Sequence, residues 1–145
     1  MRRRQFFGWG LGLGALAALP RPLRAATPEP VRLRELYEKD LSFSDYARAR
    51  EGKLVAIEGF MAPPLKAEST FFVLTNRPLA VCPFCETEAE WPDDILAVHT
   101  RRVLDVQPFN VKLSVLGRLE LGTQTDPETG FVSRVRLVEA EYRRA

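Results

Sequence analysis

The chain has 145 residues, of which 21 are lysine or arginine and 19 are aspartate or glutamate, for a formal net charge of +2. This length is enough for one small domain and not two. The single histidine excludes the paired-histidine motif of a zinc peptidase. The sequence has neither the Gly-x-Ser-x-Gly motif of a hydrolase nor a glycine-rich phosphate loop.

The N-terminal segment resembles a twin-arginine export signal. Residues 3–7, Arg-Arg-Gln-Phe-Phe, match its pattern of two arginines, a variable residue and two apolar residues, and an apolar run follows at residues 8–19. A run of about a dozen residues is shorter than the roughly 20 that span a bilayer. The resemblance implies a signal-peptide helix at residues 1–26, the twin-arginine translocase as a partner during export, and a periplasmic location. If the segment is not cleaved, we expect it to remain as an N-terminal membrane anchor.

The export segment also accounts for the basic charge of the chain. Residues 1–26 contain five arginines and no acidic residue, which leaves 16 basic and 19 acidic residues and a net charge of −3 in the remainder. The composition therefore gives no reason to expect nucleic-acid binding. Because the periplasm is oxidising, the two cysteines of an exported chain can form a disulfide.

Residues 27–52 are predicted to form a linker and two short helices. The prolines in residues 27–30 favour a stiff linker, because proline cannot continue a helix or donate to a strand ladder. Apolar residues on one stripe predict a helix over residues 31–40. A second helix is expected to begin after Ser42 or Ser44 as N-cap and to end at Gly52. We expect both helices to lie against the edge of the domain.

From residue 53 the apolar pattern has a period of two, which is typical of strands. Phe131, Val135 and Leu137 share one face of the last strand, with Arg134 and Arg136 opposite. A turn that leaves through a left-handed glycine is expected at residues 122–130. Glycines in the middle of strands mark expected bends or bulges; they are Gly59 and Gly117. The expected strands are 54–61, 71–75, 95–99, 111–121 and 131–137.

Five strands with these spacings, and no long helix between them, predict a mainly β fold. We expect a small five-stranded antiparallel barrel of the oligonucleotide/oligosaccharide-binding (OB) type over residues 53–145. The short N-terminal helices and the signal-peptide helix precede it.

Both cysteines lie in the segment Cys82-Pro83-Phe84-Cys85. Covalent c-type haem is excluded, because Glu86 stands where that motif requires histidine. The tetrapeptide resembles the glutaredoxin active site, which implies thiol–disulfide exchange between Cys82 and Cys85. However, the following glutamates would raise the pKa of a nearby thiol, and no βαβ unit surrounds the motif. The alternative is a purely structural role, in which a disulfide between the two cysteines closes a local loop.

A metal site is a further reading of the same cysteines. Cys82 and Cys85 could supply half of a tetrahedral zinc or copper(I) site, with His99 as a third ligand. The fourth ligand would come from Glu86, Asp93 or Asp94. The alternative role of His99 is that of a residue at the end of a strand.

Trp91, Asp93 and Asp94 form the other candidate feature of this stretch. An aromatic ring beside two carboxylates could serve as a platform for a ligand. The alternative is a turn into the next strand, with Trp91 packed over the end of the barrel.

Residues 52–141 resemble a group of uncharacterised bacterial periplasmic proteins and lipoproteins. The resemblance lies in residues 52–65, in Phe72-Val73-Leu74 and Cys82, and in residues 115–119. It implies a single OB-like barrel associated with envelope transport or metal handling. The leading hypothesis is a non-catalytic periplasmic binding or accessory protein whose Cys-x-x-Cys loop is a disulfide or a metal-binding dithiol. The alternative is a thiol–disulfide oxidoreductase that uses Cys82 and Cys85.

Overall fold

The computed structural model describes residues 26–64, 66, 68–80 and 95–145. The predicted signal peptide, apart from residue 26, lies outside the described residues. The segment that contains both cysteines also lies outside them, since the description stops at residue 80 and resumes at residue 95. No helix in the described part of the chain has the length and apolar character to cross a bilayer.

The fold is mainly β, with six strands in one sheet. β2 pairs with both β3 and β5, and the order β2-β3-β4-β6-β5 therefore returns to its first strand. β1 is added outside this ring, beside β2. The strands are β1 Pro30–Arg32, β2 Leu54–Met61, β3 Phe71–Thr75, β4 Ile95–Thr100, β5 Lys112–Thr125 and β6 Val132–Arg144.

The prediction of an antiparallel sheet is wrong at two places. β4 pairs with β6 in parallel, as in the register Val98 to Leu137, and β1 pairs with β2 in parallel. The other strand pairs are antiparallel. The 11-residue connection from β4 to β5 and the hairpin from β5 to β6 bring β6 back beside β4 in the same direction.

The main core lies on the inner side of the ring, where alternate residues of the strands meet. In β5, Leu113, Val115 and Leu119 are fully buried, as the alternation in the sequence predicted. They pack with side chains of the other strands of the ring in one cluster; its large, fully buried members in those strands include Ile57, Met61, Phe72, Leu74, Leu96 and Leu137.

The N-terminal part differs from its prediction. In place of a helix over residues 31–40, it forms β1 followed by a single 3-10 turn, Leu33–Leu36. The helix predicted after Ser44 is present as α1, Asp45–Arg50, and the Ser44 hydroxyl accepts a hydrogen bond from the N–H of Ala47 at 3.2 Å. These residues do more than lie against the edge, because four of them are buried in the main core; they are Leu33, Leu36, Tyr37 and Ala47.

The β5–β6 hairpin turns through residues 126–131. The predicted left-handed exit is present at Gly130, whose φ is +72°. The alternation predicts that Phe131 shares the face of Val135 and Leu137, but this prediction is wrong. Phe131 precedes β6 and packs against a second cluster outside the main core, whereas Val135 and Leu137 are buried inside.

Candidate functional site

Among the site residues predicted from the sequence, His99 lies within the described residues. Cys82, Cys85 and Glu86 lie outside them, as do Trp91, Asp93 and Asp94. The predicted cysteine pair, the metal set that includes it and the aromatic platform therefore stay predictions. The site that the structure describes is built around His99.

β3 and β4 are covered on both faces. Every residue of β3 is buried, and so are the first four residues of β4. The side chains that point away from the main core form a second apolar cluster, which we call the outer layer. It consists of Ala62, Phe71, Val73, Ile95 and Ala97, with Phe131 packed against it. Strands buried on both faces have continuous apolar sequences, and residues 71–74 and 95–98 follow this rule.

His99 continues the outer layer toward the solvent. It is directly opposite Phe71 across the β3–β4 ladder, and the two ring centroids are 5.1 Å apart at an angle of 47°. The Phe71 ring also lies 5.3 Å from that of Phe131. The imidazole is half-buried and borders the aromatic part of the outer layer.

Burial lowers the pKa of the His99 imidazole, because it disfavours the charged form. The carboxylate of Asp126 opposes this by attraction, Arg136 adds to the lowering, and Glu120 again opposes it. Because the pKa of His99 is lowered from the ordinary value of about 6.5, the imidazole favours its neutral form at pH 7. A neutral imidazole offers a nitrogen lone pair, which can accept a hydrogen bond or bind a metal ion.

β6 places a buried arginine beside the outer layer. Arg136 pairs with Ala97 on one side and Glu120 on the other, and it is 5% exposed. Its Nε donates to a Glu120 carboxylate oxygen at 3.1 Å, and one terminal nitrogen donates to the Gly122 carbonyl at 2.8 Å and to the Ser133 hydroxyl at 3.3 Å. This satisfied ion pair fixes the outer face of β5 and β6.

Asp126 occupies the first position of the β5–β6 hairpin. Burial would raise the pKa of its carboxyl, but hydrogen bonds from the hydroxyl and the N–H of Thr129 outweigh burial, and the pKa is lowered. The N–H donates to the Asp126 carboxylate at 2.9 Å. Asp126 is thus a held anion that acts on His99 from the hairpin. We call His99, Phe131 and Asp126 together the His99 rim.

The described residues alone do not provide a metal site. No group of three histidine, cysteine, aspartate or glutamate side chains within them is placed to hold a metal ion. His99 lies four residues after Ile95, where the chain enters β4, a distance of about 13 Å along an extended strand. A metal site that joined His99 to Cys82 and Cys85 would therefore require the β3–β4 connection to reach back along the outer layer.

The sequence alone does not reveal Arg136 and Asp126 as neighbours of His99. Arg136 was correctly placed opposite Val135 and Leu137, but period-two alternation does not reveal whether the opposite face is covered. The available signal was the continuous apolar run of β3 and β4, which indicates a second covered face. Asp126 was recognised only as a turn residue, because its neighbour on the hairpin side, His99, is distant in sequence.

Comparison with known proteins defines the fold. No protein-family profile matches the sequence, and no curated protein matches it. The fold is similar to the crystal structure of a DUF3299 family protein from Pseudomonas aeruginosa PAO1, with a TM-score of 0.53 and 14% sequence identity. The similarity covers 83% of this chain and 97% of that one. At this identity, what the two chains share is the β-rich fold.

Proposed function

We propose that this chain is an exported, non-catalytic binding or accessory module of the OB type, in an envelope system concerned with metal-related transport. The ring of five strand pairs supports the OB assignment, because the first strand of the ring meets the second and the fourth, and the third meets the fifth. An OB barrel is a five-stranded Greek-key barrel of this kind. The twin-arginine pattern at residues 3–7 supports export.

The observation that carries the proposal is the position of the His99 rim in this ring. OB barrels bind ligands on the face of their second and third strands and at the loops after the first and the fourth. In this chain those strands are β3 and β4, and the loop after the fourth strand is the hairpin 126–131. His99 lies on that face, and Phe131 and Asp126 lie in that hairpin. The rim combines a neutral imidazole, an aromatic edge and a held carboxylate.

We propose zinc or copper(I) as the ligand class, with His99 as one donor and Cys82 and Cys85 as the others. A neutral imidazole is suited to either ion, and thiolates select for both. The cysteines belong to the connection between the two strands of the binding face. A disulfide between them is the alternative state of the same pair. In that state the His99 rim would bind its ligand without a metal ion.

The test is elemental analysis with thiol counting on protein isolated from the periplasm. We expect about one equivalent of zinc or copper in the wild-type protein. Cys82→Ser should abolish it, and His99→Gln should lower it strongly. Glu128→Gln serves as the matched control and should keep the metal, because Glu128 is an exposed residue of the same hairpin that lies outside the His99 rim. Metal content that survives both Cys82→Ser and His99→Gln contradicts the metal-binding version.

The enzyme alternative is tested on the same protein. A thiol–disulfide oxidoreductase requires a cysteine with a depressed thiol pKa and a bond that is readily reduced. We expect the thiols to titrate at or above their ordinary range, because Glu86, Glu88 and Glu90 follow them in the sequence. A thiol pKa well below that range, together with catalysis of disulfide reduction in insulin, would overturn the non-catalytic proposal.

A further inference from the structure

The connection from β4 to β5, residues 101–111, exposes large apolar side chains. Val103 and Val106 are each 57% exposed, and Phe109 is 41% exposed. Half of the six large apolar side chains that are exposed in the described residues thus lie within one seven-residue stretch. Exposed apolar groups concentrated in this way indicate an interaction surface, whereas single ones need no explanation.

This connection is held firmly in place. The Tyr142 hydroxyl donates to the Asp105 carbonyl and accepts from the Asp105 N–H, both at 2.8 Å. The N–H of Leu104 donates to the Ser69 carbonyl at 2.8 Å, and Leu104 packs against the main core. The exposure of the three apolar side chains is therefore fixed by the backbone of the loop.

Arginines border the same loop. A groove of about 350 Å³ is lined by Arg102 and Val103, and a second groove of about 390 Å³ is lined by Arg143 and Arg144. The two grooves share Asp105 and Tyr142, so they lie side by side. Arg144 also donates from its Nε to the side-chain oxygen of Gln107 at 3.1 Å, which ties the end of β6 to the loop.

Two of the acidic groups nearby have side-chain partners. The Asp105 carboxylate accepts from the Gln107 amide at 3.1 Å, and Glu139 pairs with Arg101 at 3.6 Å. Glu141, which is exposed, lines the first groove. Arg102 lines the same groove and Arg143 and Arg144 line the neighbouring one, although residues 27–145 carry a net charge of −3. We call Val103, Val106, Phe109, Arg102, Arg143 and Arg144 the basic–apolar surface.

The chain enters the domain beside this surface. Thr27 and Pro28 line a groove together with Tyr142 and Arg143. Seven residues separate Thr27 from the end of the apolar run at Leu19, and this spacer can extend over at most about 30 Å. An N-terminal segment that enters or crosses the inner membrane thus holds the basic–apolar surface close to that membrane.

We propose that the basic–apolar surface docks on an anionic phospholipid membrane. The arginines complement the lipid phosphates, and the valines and Phe109 enter the region of the headgroups and upper acyl chains. The occupant is a membrane because apolar side chains beside arginines match its two layers, and because the chain outside the described part leads from this corner to an apolar segment. The proposal goes beyond the binding role of the His99 rim and does not depend on its ligand.

The test is co-sedimentation of the exported protein with vesicles, made either of equal parts phosphatidylglycerol and phosphatidylcholine or of phosphatidylcholine alone. We expect binding to the anionic vesicles that weakens with salt. Each arginine near an anionic surface contributes about a fivefold gain in partitioning, so Arg102→Gln with Arg143→Gln should lower it roughly 25-fold. Val106→Asp with Phe109→Asp should lower it at least about tenfold.

Leu54→Asp is the matched control. Leu54 is 59% exposed and lies at the start of β2, whereas the end of β2 that is next to the loop is marked by Phe60, six residues further along, which pairs with Lys112. This variant should bind as the wild type does. Amide hydrogen exchange in the presence of anionic vesicles gives a second readout, which is valid whether or not the N-terminal segment has been removed. Exchange across residues 101–109 should slow in the wild-type chain and in Leu54→Asp, and not in the variant that combines Val106→Asp with Phe109→Asp.

Three results would each overturn membrane docking. The first is equal binding to both kinds of vesicle. The second is a loss of vesicle binding for Leu54→Asp as large as the loss for Val106→Asp with Phe109→Asp, which we call the loop variant. The third is a dimer that the loop variant abolishes, with no vesicle binding by the wild type, which would assign the surface to a second copy of the chain. Unfolding curves confirm that the compared variants are folded, and metal content is measured separately, so failure here leaves the His99 proposal unaffected.

Discussion

Lowering the pH should destabilise this fold through a single imidazole. Burial, with a further contribution from Arg136, holds the pKa of His99 below its ordinary value, against the attraction of Asp126 and Glu120. The unfolded chain therefore takes up a proton near pH 6.5 that the folded chain does not yet bind. The contribution of His99 to the free energy of unfolding is complete above that pH, and it is lost as the pH falls toward the pKa of the folded state. One proton sets the limit of the slope at about 1.4 kcal/mol per pH unit.

The measurement is the free energy of urea unfolding between about pH 7.5 and pH 5 for the wild-type chain and His99→Gln. The carboxylates titrate in both proteins, so the difference between the two curves isolates the imidazole. We expect the wild-type advantage to shrink as the pH falls. Because the chain has one histidine, its NMR signal gives the pKa directly.

Two hairpin variants test the stated causes of the shift. Asp126→Asn removes an attractive charge and should lower the pKa of His99 further, whereas Glu128→Gln, in the same hairpin, should leave it unchanged. A constant or growing wild-type advantage at lower pH, or an imidazole that titrates above its ordinary value, would refute the assignment of burial as the dominant effect.

Three further predictions, which involve five substitutions, are tested by the same unfolding curves. Gly59→Ala should lower the free energy of unfolding by about 3 kcal/mol or more, because the added Cβ would lie 2.7 Å from a backbone carbonyl oxygen of β3. Gly117→Ala should lower it less, because the closest contact of its added Cβ is 3.0 Å. A larger loss for Gly117→Ala than for Gly59→Ala would contradict the packing argument. Arg136→Ala should cost about 2–3 kcal/mol through three lost hydrogen bonds, with its carboxylate partner left partly solvated; a cost under about 0.5 kcal/mol would show the pair to be dispensable. Ser44→Ala should cost about 1 kcal/mol as a lost N-cap, and Ser42→Ala, outside the helix, clearly less.

β5 and β6 could be predicted because their inner residues alternate with residues of the other face, whereas β3 and β4 are short apolar runs that are buried on both faces. In β5 this alternation extends over most of the strand, and the register shift beside Gly117 falls where the glycine suggested a bulge. Gly59 has a different role from the expected bend. The β2–β5 ladder passes through it without a shift, and β3 instead approaches too closely for a side chain.

The partners of the strands could not be predicted in the same way. Alternation identifies a strand and its buried face, but the parallel contact of β4 with β6 depends on where a distant hairpin returns. β1 was missed for a related reason. Its parallel partner in β2 lies 26 residues away, as in the pair Pro30–Ala56, and Pro30 is tolerated because β1 is an edge strand. The apolar stripe that predicts a short helix over residues 31–40 needed only one 3-10 turn to bury Leu33 and Leu36.

The candidate site depends on whether the outer layer is covered in solution, and Val73 tests this directly. Val73 is 4% exposed on the outer face of β3. Val73→Thr keeps the shape of the side chain but buries a hydroxyl, which should cost about 1–3 kcal/mol. On a solvated face the same change would cost no more than about 0.5 kcal/mol. Val132→Thr, at a strand position that is 49% exposed, supplies this reference within the same protein. Equal effects of the two substitutions would mean that the outer face of β3 and β4 is open to water, and the burial that lowers the pKa of His99 would then have no source.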